Sequence, residues 1–131
     1  EKQSLADPAR VDRLPPHSIE AEQGVLGCIL LSPNECLGES IEKFKGGSEY
    51  FYDLRHQTIY ELLLEMYDAK VGIDLVTVAQ RLKDKNQLDV VGGLTYLAAL
   101  ADAVPSAANL IHYLDIVWDK YILRQMANEE N

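Results

Sequence analysis

The stretch that decides the fold is Ser106–Asn131, SAANLIHYLDIVWDKYILRQMANEEN, which is predicted to form one long helical run. At about 100° per residue, a broad apolar face collects Leu110, Ile111, Tyr113, Leu114, Val117, Trp118, Tyr121 and Ile122. Ile116 and Leu123 fall together on the far side, among His112, Asp115 and Asp119. This is more apolar surface than one small core uses, so the helix is predicted to pack in two directions.

The second apolar face leaves two interpretations open. Either flanking loops cover it, or the run is an association helix that is cut short where the chain stops. We predict that Ile116, Lys120 and Leu123 contribute to self-association, and a place for these three side chains in the core stays the alternative.

The rest of the sequence predicts shorter helices, and hence an all-α fold: a compact bundle of about six helices with a long last one. Capping and turn residues separate the helices: Ser18 after Pro15-Pro16, Ser32-Pro33, Asp53 after Gly46-Gly47-Ser48, Gly72-Ile73-Asp74, Gly92-Gly93, and Pro105-Ser106. Apolar stripes at helical spacing are Val25, Leu26, Ile29 and Leu30; Leu37, Ile41 and Phe44; Ile59, Leu62, Leu63 and Met66; Val76, Ala79 and Leu82; Tyr96, Leu97 and Leu100. Gly24 and Gly27 are expected to let a neighbouring backbone come close.

Composition limits the domain count and the partners. Residues 1–14 have mixed charge and few apolar side chains, which predicts a disordered lead-in to one domain over residues 15–131. The net charge is −9, from 21 acidic and 12 basic residues, and the basic residues are scattered. Because phosphate binding needs clustered Lys and Arg, we expect little direct nucleic-acid binding. No apolar run approaches the ~20 residues that span a bilayer, and no signal peptide is present, so a cytoplasmic location without a membrane is expected.

No pattern predicts a catalytic, cofactor-binding or metal site. The phosphate loop GxxxxGK[ST] is absent, and the histidines lie far apart in sequence. Asp53-Arg55-His56 resembles an acid–base group but is more typical of a helix cap. Cys28 and Cys36 have no histidine at a ligand spacing, so both are predicted to be reduced thiols.

One stretch, residues 73–88, imitates a DNA-reading helix-turn-helix, with Arg81, Lys83 and Lys85 outside. The helix that follows, residues 94–103, offers neither base-reading side chains nor basic flanks, which disfavours this interpretation.

Several stretches, taken in order, resemble the N-terminal domain of the DnaB-type replicative DNA helicases. They are residues 15–23 (PPHSIEAEQ) with Val25-Leu26-Gly27, Phe51-Tyr52-Asp53 with Arg55-His56, residues 73–77 (IDLVT), residues 91–97 (VGGLTYL), residues 104–109 (VPSAAN), and residues 113–124. The resemblance covers about Leu14 to Met126. Two departures lie at one loop: Leu54 stands where the family usually has proline, and Gly46-Gly47-Ser48 is slightly longer than the usual connector.

The resemblance implies a non-catalytic collar. In this family the N-terminal domains pair through helical hairpins into dimers, and then into a trimer of dimers beside the ring of ATPase domains. The last helix here would then be the first arm of a truncated hairpin. The parent protein would be an ATP-dependent 5′–3′ DNA helicase, with ATP and magnesium held by its motor domain and no cofactor in this chain.

The same resemblance implies the partners. These are further copies of the chain and the helicase-binding domain of primase, with a helicase loader as a further candidate, at replication forks on the nucleoid. Two other functions stay open: the helicase-binding domain of a primase, and a stand-alone helical interaction or regulatory protein. Residues 15–23 and 104–109 favour the helicase over the primase, whereas a native end near Asn131 would favour the stand-alone protein.

Overall fold

A computed structural model describes residues 14–130, so nearly all of the predicted lead-in lies outside the described residues. Within that range the chain forms six α-helices and one short 3-10 helix, with no strand. The α-helices are α1 (Ile19–Leu31), α2 (Pro33–Phe44), α3 (Leu54–Asp68), α4 (Leu75–Asp84), α5 (Gly93–Asp102) and α6 (Leu110–Glu130); the 3-10 helix is Ser48–Tyr50. The prediction of an all-α fold with six helices is confirmed.

Polar caps begin three of the helices at the predicted places. The Ser18 hydroxyl accepts a hydrogen bond from the Ala21 amide at 3.2 Å, and the Asp53 carboxylate accepts one from the Arg55 amide at 2.8 Å. Asp74 begins α4 in the same way, and Thr77 completes a reciprocal capping box. These caps satisfy amides that have no partner inside their own helix.

Leu54, one of the two departures from the family pattern, begins a regular helix. Leu54 is the first residue of α3, directly after the Asp53 cap, and its side chain is 73% exposed. Proline is favoured at this position because the amide there has no partner within the helix. Leucine therefore fits without losing a hydrogen bond or a core contact.

The last helix begins at Leu110, so the prediction that it starts at about Ser106 is wrong. The Ser106 hydroxyl accepts a hydrogen bond from the Ala108 amide at 3.2 Å and closes a local turn instead of capping the helix. The chain enters α6 only after a second turn, in which the Leu110 amide donates to the Ala107 carbonyl at 3.3 Å.

Helix α1 lies at the centre, with α2, α5 and α6 packed around it. At Gly27 a neighbouring backbone comes close, as predicted, whereas at Gly24 the close neighbour is a side chain and that part of the prediction is wrong. A Cβ atom at Gly24 would lie 2.7 Å from the Tyr113 ring of α6, and one at Gly27 would lie 2.5 Å from the Leu100 carbonyl oxygen of α5. A larger side chain at either position would push a neighbouring helix off α1.

The predicted apolar stripes of α1 and α3 form the core, but two predicted core residues are exposed. Val76 is 74% exposed, because α4 buries Val78 and Leu82 on its opposite side. Ile111 is 60% exposed at the edge of the broad α6 face, because the core side of α6 is already filled by side chains that include Leu110 and Leu114. Both predictions assigned a wider core face to a helix than its neighbours cover.

Removing the Tyr60 hydroxyl is expected to stabilise the domain. Tyr60 is fully buried, its hydroxyl has no hydrogen-bond partner within the described part of the chain, and burial raises the pKa of Tyr60. Tyr60→Phe should therefore raise the free energy of unfolding in urea by about 1 kcal/mol. Tyr96→Phe is the control: it removes a hydroxyl that makes two hydrogen bonds, and it should lower the stability. A less stable Tyr60→Phe variant would show that the hydroxyl has a partner.

Candidate functional site

A cluster of polar groups is buried where α1 meets α3 and α5. Its centre is the Glu22 carboxylate, which is 1% exposed. Glu22 Oε2 accepts a hydrogen bond from the Tyr52 amide at 2.7 Å, and Oε1 accepts one from the Asp53 amide at 3.2 Å. One side chain of α1 therefore holds the backbone of the turn that leads into α3. We call Glu22, His56 and Tyr96, with these two amides, the Glu22 cluster.

His56 extends the cluster from α3 to α5. Its ring is fully buried, with Nδ1 at 2.7 Å from Glu22 Oε1 and Nε2 at 2.7 Å from the Tyr96 hydroxyl. A carboxylate only accepts, so we assign the ring proton to Nδ1. The Tyr96 hydroxyl then donates to Nε2 and accepts from the Gln23 side-chain amide at 3.1 Å. Each of these polar side chains has a partner, as buried polar groups require.

Arg55 covers the cluster on the outside. Its guanidinium donates to both carboxylate oxygens of Asp53, at 2.8 and 3.1 Å, and lies 4.3 Å from the centre of the Tyr96 ring. Hydrogen bonds from the Arg55 side chain hold the pKa of Asp53 below its ordinary value, and the same bonds raise the pKa of Arg55. The prediction that Asp53 caps α3 is confirmed.

The cluster positions helices and does not form a reaction centre. A carboxylate, an imidazole and a phenol in an open cleft would be suited to acid–base chemistry. Here Glu22 and His56 are closed to solvent, and both ring nitrogens of His56 are already hydrogen-bonded. The arrangement therefore joins α1, the turn at residues 51–53, α3 and α5.

The sequence interpretation missed the cluster, although a signal was present. In the first turn of α1, Glu22 has an ordinary explanation as an acidic side chain near the positive end of the helix. Yet it is in helical register with Val25, Leu26 and Ile29, and His56 is in register with Ile59 and with Leu63. A charged or polar side chain in line with an apolar stripe indicates a buried, paired group.

Glu22→Gln is expected to lower the free energy of unfolding by about 3 kcal/mol, because it leaves an amide donor facing donors that a carboxylate satisfied. Glu20→Gln is the matched control, since Glu20 lies in the same first turn of α1 and is exposed. Urea unfolding of both variants measures the difference. Equal and small effects of the two substitutions would contradict the proposed role of Glu22.

The three residues predicted to self-associate lie together on one side of α6. Ile116 and Lys120 are half-buried, Ile116 packs against the core, and Leu123 is 45% exposed. Met126, one turn beyond Leu123, is 53% exposed and extends the same stripe. We call Ile116, Lys120, Leu123 and Met126 the outer face of α6. The sequence interpretation missed Met126, although its spacing of three residues from Leu123 indicates a shared face. The role of this face in self-association stays a prediction.

An open groove lies between the start of the described chain and the end of α6. Its volume is about 640 Å³. It is lined by Leu14, Pro15, Pro16, Glu49, Tyr52, Tyr121, Arg124, Gln125, Ala127 and Asn128. Proline and tyrosine side chains make up much of this lining. Arg124 also lines the groove and donates hydrogen bonds to two backbone carbonyls of other segments.

The two cysteines and the other potential metal ligands form no further site in the described part of the chain. Cys28 and Cys36 are buried free thiols, and burial raises the pKa of both, that of Cys36 to about 11. Among residues 14–130, no group of three or more His, Cys, Asp or Glu side chains is placed to hold a metal ion. No helix in this part of the chain has both the length and the apolar character needed to cross a membrane.

These features define a small all-α domain with a structural polar cluster and a long helix that keeps apolar side chains in water. The family model described as "DnaB-like helicase N terminal domain" matches residues 14–119. The chain belongs to this family, and the predicted resemblance is confirmed.

The chain is similar in sequence to replicative helicases of other organisms. The chain is 44% identical over 115 residues to the replicative DNA helicase DnaB of Geobacillus stearothermophilus and, to the same extent, to the replicative DNA helicase DnaC of Bacillus subtilis (strain 168). Each match covers 88% of this chain and 25% of the relative. The chain therefore spans about a quarter of the length of these relatives.

The fold is also that of a solved relative. The chain is similar to the crystal structure of the N-terminal domain of DnaB helicase from Mycobacterium tuberculosis, with a TM-score of 0.82 and 36% identity. The similarity covers 88% of this chain and 78% of that one.

Proposed function

We propose that this domain is the non-catalytic N-terminal collar of a replicative DNA helicase, and that it brings copies of the protein together into a ring. The observation that supports this most directly is the outer face of α6. Leu123 and Met126 are 45% and 53% exposed, whereas Ile116, at the other end of this face, packs against the core. An apolar stripe of this kind gains stability only when a partner covers it.

The kind of partner is suggested by the charge on the same face. Lys120 lies beside Leu123, and Asp119 is exposed on the adjoining turn. Apolar side chains flanked by charges of both signs are typical of helix pairs, in which the apolar residues supply the contact and the charges set its register. A second copy of α6, with or without a returning helix that would complete a hairpin, fits this pattern. The dimer and the trimer of dimers belong to the proposal.

The wider role follows from the family. We propose that the parent protein is an ATP-dependent helicase whose motor domain holds ATP and magnesium outside this chain, and that it acts in the cytoplasm at replication forks. Docking of the helicase-binding domain of primase, and of a helicase loader, are further parts of the proposal. The net charge of −9 favours partners with basic surfaces.

The helicase collar is favoured over the two other functions. The match to the helicase family over residues 14–119 favours it over a primase domain or a stand-alone regulator. Direct DNA reading by α4 and α5 is disfavoured, because Lys85 pairs with Glu65 at 2.6 Å and α5 contains no basic residue. Recognition through the major groove needs such residues on its second helix.

Leu123→Asp is expected to weaken self-association at least about thirtyfold, because it buries an unpaired charge in an apolar contact. Sedimentation velocity over a range of concentrations measures this, with the full chain. Val76→Asp is the matched control, since Val76 is 74% exposed on α4 and lies off the outer face of α6. An average mass of the wild-type chain that does not rise with concentration would contradict the proposal, as would an equal effect of the two substitutions.

A further inference from the structure

Tyr121 packs against the core with its ring 4.4 Å from that of Tyr50, and beyond it α6 has few contacts with the rest of the domain. The helix extends to Glu130, but among its side chains up to residue 128 Val117 is the last buried one, and those of residues 125–128 are exposed. Arg124 is half-buried and directly precedes this exposed stretch. It donates from Nη1 to the Pro16 carbonyl at 2.8 Å and from Nη2 to the Tyr50 carbonyl at 3.0 Å. Within the described part of the chain, these are the tertiary hydrogen bonds nearest the end of α6.

The Arg124 side chain is held tightly. Its guanidinium lies 5.6 Å from the centre of the Tyr52 ring and 5.9 Å from that of Tyr121, and burial lowers the pKa of Arg124. The two carbonyls belong to segments far apart in sequence, one before α1 and one at the end of the 3-10 helix. A planar guanidinium reaches both at once, which the single ammonium group of a lysine does less well.

The acceptors are themselves rigid. Pro16 has a restricted backbone, which limits the directions in which its carbonyl points. His17 stacks on the Tyr52 ring at 4.2 Å and is bonded through Nδ1 to the Pro15 carbonyl at 2.7 Å. The Tyr52 amide in turn donates to Glu22. Arg124 therefore connects the end of α6 to the segment entering α1 and, through Tyr52, to the Glu22 cluster.

We propose that Arg124 is a clasp that ties the distal half of α6 to the segment entering α1, and so sets the direction in which Leu123 and Met126 meet a second copy of the chain. The second half of this proposal rests on the proposed function. Leu123 precedes Arg124 directly, and Met126 follows it within one turn. Releasing the guanidinium frees the backbone that carries both apolar residues, without removing either of them.

The first test of the clasp is amide hydrogen exchange of the full chain carrying Arg124→Lys. The amides of residues 121–128 are expected to exchange about tenfold faster than in the wild type, because local opening of the helix end no longer breaks two charge-assisted hydrogen bonds. The amides of Val25 to Ile29 in the core of α1 should keep their protection, which shows that the variant is folded. Arg81→Lys, a half-buried arginine of α4, is the matched control and should leave the end of α6 unchanged. Unchanged exchange at residues 121–128 in Arg124→Lys would overturn the clasp.

Self-association separates the two halves of the proposal. Arg124→Lys should weaken association although the outer face keeps its apolar residues, whereas Leu123→Asp should weaken association while the hydrogen bonds of Arg124 stay in place. Faster exchange with unaltered association would overturn the positioning role and support the clasp alone. If the wild-type chain does not associate, the proposed function fails, while the exchange experiment still decides whether Arg124 is a clasp.

Discussion

The Glu22 carboxylate accepts hydrogen bonds from the Tyr52 and Asp53 amides and from the His56 ring, with almost no contact with solvent. Burying a carboxylate is costly unless its oxygens are satisfied, and replacing such a group with apolar residues is often neutral for stability. The main contribution of Glu22 is therefore to fix how α1, α3 and α5 are placed relative to one another. The observed placement of α1, α3 and α5 satisfies Glu22, His56 and Tyr96 together, which favours it over packings that bury similar apolar area but leave these groups unpaired.

The surface of the domain depends on this placement through Tyr52. Its amide is bound to Glu22, while its ring contacts His17 and Arg124. The same arrangement that fixes the turn before α3 therefore also supports the end of α6. Together with the close approach of Tyr113 to Gly24, it holds α6 against α1 on one side and leaves Leu123 and Met126 in water on the other. A rigid helix with exposed apolar residues is suited to pairing, because little order is lost on binding.

Much of the fold follows from local signals in the sequence. Caps such as Asp53 and Asp74 and the stripes of α1 and α3 act over one or two turns, and the structure confirms them, together with the close backbone approach at Gly27. Contacts between segments that are distant in sequence are not predicted by such local patterns. The pairing of Glu22 with His56 joins α1 to α3, and the exposure of Val76 and Ile111 depends on how far neighbouring helices reach. Ser106 failed as a cap because its hydroxyl serves a turn that precedes the helix.

Amide exchange at Tyr52 and Asp53 shows whether Glu22 holds the turn before α3. Both amides lie outside regular helix, yet we expect them to exchange only on global unfolding, with the same free energy as the most protected amides of α1. The Gly47 amide is the internal comparison, because it donates to an exposed carboxylate, that of Glu49, at 2.9 Å and should exchange rapidly. If Tyr52 and Asp53 exchange as fast as Gly47 while the amides of α1 stay protected, Glu22 does not hold the turn and does not organise the domain.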